Sequence, residues 1–158
     1  LIRQYKQLKK DYSIDLVNNN ILQWRILLVG PENTPYAGGY FPVSLTFPSD
    51  FPAHPPVMAF LTPNFWHPNV YPNGTVCISI LHEPVVDPYN EQESLSERWR
   101  PIIGVEAILV SVQNMLSEPN VNSPANVDAS VEFKDHFQDF QRRVRLLVKR
   151  SIDDLMNP

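Results

Sequence analysis

The stretch FWHPNVYPNGTVCISILH occupies residues 65–82 and contains Cys77, the single cysteine of a 158-residue chain. Asn69 precedes the cysteine by eight positions, and the Pro-Asn-Gly sequence at 72–74 between them is typical of a tight turn. A free cysteine is often only a small buried hydrophobe. Here the loop-rich surroundings favour a thiol near the surface, opposite an amide. This arrangement indicates covalent thiol chemistry.

The composition is that of one ordinary globular domain, which we predict to span residues 1–158. Hydrophobic residues make up 43% and charged residues 19%, and a chain of this length buries roughly 70% of its unfolded surface. The net charge of −4 argues against nucleic-acid binding. No run approaches the roughly 18 apolar residues of a membrane span. No signal peptide is visible and one cysteine allows no internal disulfide, so we expect a reducing compartment, the cytosol or the nucleus.

Hydrophobic periodicity predicts a helix, four strands and further helices, in that order. Three-residue spacing of apolar side chains predicts a helix over residues 1–10. Alternation predicts strands at residues 12–17, 21–29, 40–47 and 57–61. An almost continuous apolar segment from Ile102 to before Pro119 predicts a central, buried helix, and Asn126 is expected to cap one or two C-terminal helices. Strands and helices segregated along the chain predict an α+β fold, a four-stranded antiparallel meander with helices packed on it.

Residues 62–101 lack regular periodicity, and this segment contains Cys77. About forty residues without a pattern in a compact domain usually have a function. The N-terminal helix carries cations that are either simply solvated or form a docking surface for an acidic partner. These cations are Arg3, Lys6, Lys9 and Lys10.

Histidines could activate the thiol, but the sequence identifies no third group that would orient one of them. His82, five residues after Cys77, could lie near it. His67 precedes Pro68, which favours extended backbone, so we interpret His67 and Pro68 as structural residues. One cysteine and scattered histidines do not supply the four ligands of a zinc site, so no metal is predicted. Asn69 is either a turn residue that bonds its own backbone or an amide that stabilises an oxyanion.

The HPN tripeptide at 67–69, the NG turn at 73–74 and VCISIL at 76–81 resemble the active-site signature of ubiquitin-conjugating (E2) enzymes. The resemblance continues along essentially the whole chain. Further matching positions are Trp24, Gly30-Pro31, Thr34-Pro35-Tyr36, Gly38-Gly39-Tyr40-Phe41, Phe51-Pro52, Pro55-Pro56, Trp99, Pro101 and Pro119-Asn120. It implies the E2 catalytic-core (UBC) fold, a four-stranded antiparallel meander with four helices.

The connection from Cys77 to Trp99 is longer than in most E2 cores. Together with SPANVDA at 123–129, it resembles the subgroup that has an acidic insertion beside the active site and includes the G and R classes. We place this acidic insertion at about residues 82–98, where five acidic residues and one arginine give a net charge of −4. It is either an exposed charged loop or a device that orients the lysine of an acceptor ubiquitin.

The resemblance implies that Cys77 accepts ubiquitin from an E1 as a thioester and transfers it to a lysine of a substrate or of another ubiquitin. Asn69 would stabilise the oxyanion or hold its loop. Ser123 of the gate loop, residues 120–124, would position the acceptor amine by hydrogen bonding, and Asp87 of the acidic insertion would position it by charge. ATP is used by the E1, so no cofactor is expected on this chain. The subgroup builds degradation-type chains with RING ligases, so the expected partners are ubiquitin, E1, a RING-type E3 and substrate proteins.

One position departs from the pattern of the subgroup and another from that of many E2s. Two adjacent acids are usual where this chain has Val86-Asp87. The proline-rich loop, residues 48–56, has Ala53 where many E2s have a bulky apolar ligase contact, whose full burial is worth roughly 1.5–3 kcal/mol. Pro101, Ile102 and the basic N-terminal helix complete the expected surface for E1 and E3.

Other functions remain open at this point. An inactive E2-like scaffold would have lost the cysteine, whereas Cys77 is present. The acidic insertion argues against a conjugator of another ubiquitin-like modifier. A cysteine hydrolase is least favoured, because no histidine with an orienting partner is identifiable.

Overall fold

A computed structural model describes residues 1–85 and 94–158. The described strands form one antiparallel sheet in the order β1-β2-β3-β4, which confirms the predicted α+β meander. The main elements are α1 Ile2–Leu8, β1 Ser13–Val17, β2 Asn20–Val29, β3 Tyr40–Thr46, β4 Val57–Phe60, α2 Val105–Ser117, α3 Val127–Asp135 and α4 Phe137–Met156. Short 3-10 helices lie at Ser79–Leu81 and Leu95–Glu97.

The sheet is built from short hairpins whose turns match the sequence. Between β1 and β2, Asn18 and Asn19 both have positive φ, 52° and 57°. Asparagine tolerates that conformation, and a two-residue hairpin turn of the twist-compatible type requires it at both positions. Trp24 and Ile26 of β2 pair with Leu45 and Val43 of β3. All four are completely buried, so the inward face of the sheet forms the core.

Helix α2 is buried along one face rather than all round. Its buried side chains are Val105, Ile108, Leu109, Val112, Met115 and Leu116. Val110 is 43% exposed and Ala107 lines a surface cleft, so the helix is buried as predicted on one face and open on the other. The helix also begins at Val105 and not at Ile102, because residues 100–103 form a turn and the Val105 N–H donates to the Gln4 side chain at 2.7 Å.

The C-terminal helices are attached to the segment that precedes Cys77. The Asn126 side chain accepts a hydrogen bond from the Ala129 N–H at 3.0 Å, which confirms the predicted cap of α3. Glu132 of α3 accepts bonds from the Trp66 indole and from the Arg143 guanidinium of α4, each at 3.1 Å. The Arg143 guanidinium carbon also lies 4.3 Å from the centre of the Trp66 ring, so this cation has a packing role. In the part of the chain described, no helix is long and apolar enough to cross a bilayer.

Candidate active site

His67 joins the segment before the cysteine to helix α2. Its ring is fully buried. Nε2 lies 2.8 Å from the Met115 carbonyl oxygen, to which it donates, and Nδ1 accepts from the Asn69 N–H at 2.9 Å. These two bonds require the neutral ring with its proton on Nε2, and burial lowers the pKa of His67 from 6.5 to about 4. His67 is thereby committed to two backbone partners and cannot serve as a base for the thiol.

The Asn69 side chain forms a reciprocal pair with the backbone of the gate loop. Its Nδ2 donates to the Asn120 carbonyl and its Oδ1 accepts from the Asn120 N–H, both at 2.8 Å. Asn69 is only 3% exposed, so these bonds fix the amide plane. An amide nitrogen carries two protons, and the bond to Asn120 uses one of them. Sequence reasoning did not find the Asn120 partner, because it lies 51 residues away.

The gate loop is held at both ends by the HPN tripeptide. Asn120 is bonded to Asn69 as described, and after the loop the Ala125 and Asn126 N–H groups both donate to the Pro68 carbonyl, at 2.8 and 3.0 Å. Pro68 thus has a structural contact besides restricting the backbone. The loop between these anchors carries Ser123, which lines the same cavity as Cys77.

Cys77 follows a tight turn that places it beside Asn69. Val70 and Val76 form an antiparallel bridge, and the Cys77 N–H donates to the Asn69 carbonyl at 2.9 Å. Gly74 has φ +97°, and a Cβ there would lie 2.4 Å from the Phe60 carbonyl oxygen. Glycine is therefore needed at this point of the turn. The cysteine is not in a disulfide and is partly exposed.

Among the described residues, the side chains of His82 and Tyr71 lie close to the thiol. His82, which ends the first 3-10 helix, has Nε2 3.4 Å from Cys77 Sγ. Tyr71 lines a second cleft together with Cys77 and His82, and a hydrogen bond to Cys77, then the charge of that group and burial, raise the pKa of Tyr71. Sequence reasoning named His82 but missed Tyr71. The Pro-Asn-Gly turn could have indicated Tyr71. When residues 70 and 76 pair across this turn, positions 71 and 77 become diagonal neighbours on one face of the hairpin.

The thiol opens into a cavity of about 410 Å³. Four residues singled out from the sequence line it together, namely Asn69, Cys77, His82 and Ser123. Glu97 of the acidic insertion also lines it. Sequence reasoning did not identify the other polar residues of the lining, which include Ser111 and Asn114 of α2 and the acidic Glu118. Asp87 lies outside the described residues.

The acidic insertion is closed at its base by Arg98 and Trp99. The Arg98 guanidinium, almost fully buried, donates to the carbonyls of Glu83 and Val85. The Trp99 N–H donates to the His82 carbonyl at 3.0 Å. The Trp99 indole is completely buried and donates to the Pro52 carbonyl at 2.9 Å. This base connects the His82 side of the thiol to the proline-rich loop.

The residues expected to bind E1 and E3 lie at a different surface. A groove of about 820 Å³ is lined by Ile2, Arg3, Phe51, Pro52, Pro101 and Ile102, among others. Ile102 is 83% exposed. Lys6, Lys9, Lys10 and Ala53 are also exposed but do not line this groove.

Metal ligands are not grouped in the described residues. Within residues 1–85 and 94–158, no three His, Cys, Asp or Glu side chains are arranged to hold a metal ion.

Comparison with known proteins gives a consistent result. A family model described as ubiquitin-conjugating enzyme matches residues 2–148. The chain is 49% identical to ubiquitin-conjugating enzyme E2 15 of Schizosaccharomyces pombe, over 97% of this chain and 93% of that protein. It is 45% identical to ubiquitin-conjugating enzyme E2 14 of Arabidopsis thaliana, over 96% and 92%. It is also 45% identical to ubiquitin-conjugating enzyme E2 G2 of Homo sapiens, over 96% and 94%.

Proposed function

This chain belongs to the ubiquitin-conjugating enzyme (E2) family, and on that premise we propose that Cys77 carries ubiquitin as a thioester and passes it to a lysine amine. One observation carries the assignment to Cys77. The single cysteine lies, partly exposed, in a cavity that it shares with Asn69, His82 and Ser123. A thiol in this position can be reached by a large acyl donor and by an amine.

Charging needs a thiolate at Cys77. The thiolate attacks the carbonyl carbon of the E1 thioester, the new C–S bond forms, and the E1 sulfur leaves as a thiolate. His82, with Nε2 at 3.4 Å, can hydrogen-bond to the Cys77 sulfur and stabilise its anionic form. ATP is consumed on the E1, so this step requires no cofactor on the E2 chain.

Discharge requires an uncharged amine beside the thioester. The lysine nitrogen attacks the carbonyl carbon, the C–N bond forms, and the C–S bond breaks with its electron pair passing to Cys77. The proton of the amine goes to solvent. Because an unperturbed lysine has a pKa of about 10.4, it reaches the site as an ammonium ion and must lose one proton to solvent before it attacks. We assign the attraction of the ammonium ion to Glu97, Glu118 and Asp87, and the orientation of the uncharged amine to the Ser123 hydroxyl.

Asn69 is proposed to act in two connected ways. Its bonds to Asn120 hold the gate loop, and with it Ser123, over the thiol. The second proton of Nδ2 is the donor we assign to the oxyanion that forms during acyl transfer. The fixed amide supports both roles, because a preorganised donor needs no reorientation during the reaction.

The partners follow from the same premise. E2 enzymes work with ubiquitin, an E1 and an E3. We propose that a RING-type E3 docks at the groove lined by Ile102, Pro101 and Phe51, and that the product is a degradation-type chain assembled in the cytosol or nucleus. Ala53 beside this groove provides little contact area, which favours weak ligase binding.

The decisive experiment is charging of the purified chain. The chain, E1, ATP and ubiquitin are mixed and run on a non-reducing gel, with the Cys77→Ala variant and with other ubiquitin-like modifiers in parallel. The expected result is a ubiquitin adduct that a thiol reagent removes and that the variant does not form. An adduct that persists in Cys77→Ala, or preferential charging with another modifier, would contradict the assignment.

A further inference from the structure

His54 bridges two loops that are far apart in the sequence. Its Nδ1 lies 2.9 and 3.1 Å from the two carboxylate oxygens of Glu83, 29 positions later. Its Nε2 lies 3.4 Å from Asp50 Oδ2. His54 and Asp50 belong to the proline-rich loop, and Glu83 belongs to the base of the acidic insertion. All three side chains are about half exposed.

Glu83 directly follows His82, the imidazole at the thiol. The backbone around it is tightly held, since the His82 N–H donates to the Ser79 carbonyl at 2.9 Å and the His82 carbonyl accepts from Trp99 at 3.0 Å. The Glu83 carbonyl accepts from Arg98. The side chain of Glu83 is bonded to His54 on the neighbouring loop. On the C-terminal side of His82, His54 thus adds a side-chain bond to Glu83 beside the backbone bonds from Trp99 and Arg98.

A second bond joins the same two loops. The buried Trp99 indole donates to the Pro52 carbonyl at 2.9 Å. Proline-rich loop and insertion base are thus connected once through buried atoms and once through the exposed pair of His54 and Glu83. Of these two bonds, the exposed pair is the one that involves the residue next to His82.

We propose that His54, acting through Glu83, is a positioning residue that holds His82 against the Cys77 sulfur. The proposal rests on the proposed function, because its effect is on thioester discharge. When the amine attacks, the C–N bond forms, the C–S bond breaks and the electron pair goes to Sγ. The amine proton goes to solvent. His82 then donates a hydrogen bond from Nε2 to the departing sulfur. A change in the orientation of the His82 ring would weaken this bond and slow the step.

A different role for Glu83 leads to a different kinetic result. If Glu83 only attracted the acceptor amine by its charge, removing it would raise the lysine concentration that gives half the maximal rate. Removing His54 would then leave Glu83 more available and would lower that concentration. A positioning role instead lowers the limiting rate in both variants and leaves the half-saturating lysine concentration unchanged.

The test is single-turnover discharge of the ubiquitin thioester onto free L-lysine over a range of lysine concentrations. The variants are His54→Ala, Glu83→Ala and the double variant, with Asp50→Ala as a matched control on the same loop. Because half-exposed side-chain pairs of this kind contribute little, the expected effect is a two- to five-fold lower limiting rate for each single variant. The double variant should be no slower than the slower single one, and Asp50→Ala should match the wild type. His54→Lys, which places an N–H donor within reach of Glu83, should recover most of the rate.

Three results would overturn the proposal. These are wild-type limiting rates in both single variants, effects that multiply in the double variant, or a lower half-saturating lysine concentration in His54→Ala. Thermal unfolding and E1-dependent charging of each variant show that the fold and Cys77 are intact, and Glu83→Gln replaces the alanine variant if the latter is unstable. If the wild-type chain forms no thioester, the proposed function itself fails. If the wild-type chain forms the thioester but the variants discharge it as fast as the wild type does, only the proposed role of His54 is contradicted.

Discussion

On one side of the Cys77 sulfur the HPN tripeptide is buried and tied to the gate loop and α2 through backbone groups. On the other side His82 and Glu83 lie at the base of the acidic insertion, where a half-exposed carboxylate bonds His54. A buried polar group that loses its partner costs about 1–3 kcal/mol, whereas an exposed ion pair contributes about 0–1 kcal/mol. The buried side should therefore determine whether the site exists, and the exposed side should adjust how fast it works.

The largest expected effect tests the buried side through pH. The pKa of His67 is lowered to about 4 by burial, while the unfolded chain binds that proton near pH 6.5. Between pH 6.5 and pH 4 the unfolded state thus binds more protons than the folded state. The stabilising contribution of neutral His67 is therefore complete above pH 6.5 and decreases as the pH falls toward 4. We expect this group to remove about 3 kcal/mol from the free energy of unfolding over that window.

Urea unfolding of the wild type and of His67→Gln is measured from pH 7.5 to 4.5. The contribution of His67 is the difference between the two slopes of the free energy of unfolding against pH. His136→Gln is a suitable control, because His136 is exposed. It should follow the wild-type curve. Parallel curves for the wild type and His67→Gln would show that the buried histidine does not set the acid sensitivity.

The next effect concerns Asn69. Replacing it with alanine removes both bonds to Asn120 and the donor assigned to the oxyanion, so discharge onto lysine should fall about 100-fold. Single-turnover gels measure the rate. Asn120→Ala retains the backbone groups that Asn69 contacts and is the matched control, expected to stay within a few-fold of the wild type. Equal losses in the two variants would mean that the loop conformation matters and the Asn69 amide does not.

A smaller effect is expected on the exposed side. His82→Gln removes the imidazole 3.4 Å from Cys77 Sγ, and a hydrogen bond to a charged group contributes about 1.5–3 kcal/mol. We expect the limiting discharge rate to fall about ten-fold, while stability in urea is unchanged. If the discharge rate of His82→Gln fell as far as that of Asn69→Ala, the buried and exposed sides of Cys77 would contribute equally to the rate, which would contradict the account.

The smallest effect concerns the acids in the cavity. Glu97→Gln and Glu118→Gln each remove one negative charge from the lining but keep the size of the side chain. Exposed charges interact weakly in water, so we expect the half-saturating lysine concentration to rise about two-fold with the limiting rate unchanged. Raising the salt concentration should reduce the difference from the wild type, because salt screens such charges.

Sequence patterns predicted most of the scaffold because its determinants are local. The alternating strands, the Asn126 cap and the helix after Pro101 depend on residues close together in the chain. The start of α2 was missed because it depends on the Gln4 side chain, 101 positions away. The open face of that helix was missed because apolar composition does not show which side a neighbouring element covers.

The part of the site that was predicted is likewise the part that depends on residues close together in the sequence. Cys77 and His82 are five positions apart, and the structure places them in contact. The sequence left two interpretations for Asn69, because the bonds to Asn120 arise from tertiary folding. The pair of His54 and Glu83 carries no local signal, since each residue alone resembles an ordinary exposed polar side chain.

The most direct test of Cys77 as the acyl carrier is intact mass measurement after reaction with E1, ATP and ubiquitin, comparing the wild type, Cys77→Ser and Cys77→Ala. We predict that the wild type gains one ubiquitin less one water and loses it on addition of a thiol. Cys77→Ser should gain the same mass as an oxygen ester, which resists thiol but is cleaved by hydroxide, and Cys77→Ala should gain none. A thiol-sensitive adduct in Cys77→Ala, or no adduct in the wild type, would contradict the assignment of the thioester to Cys77.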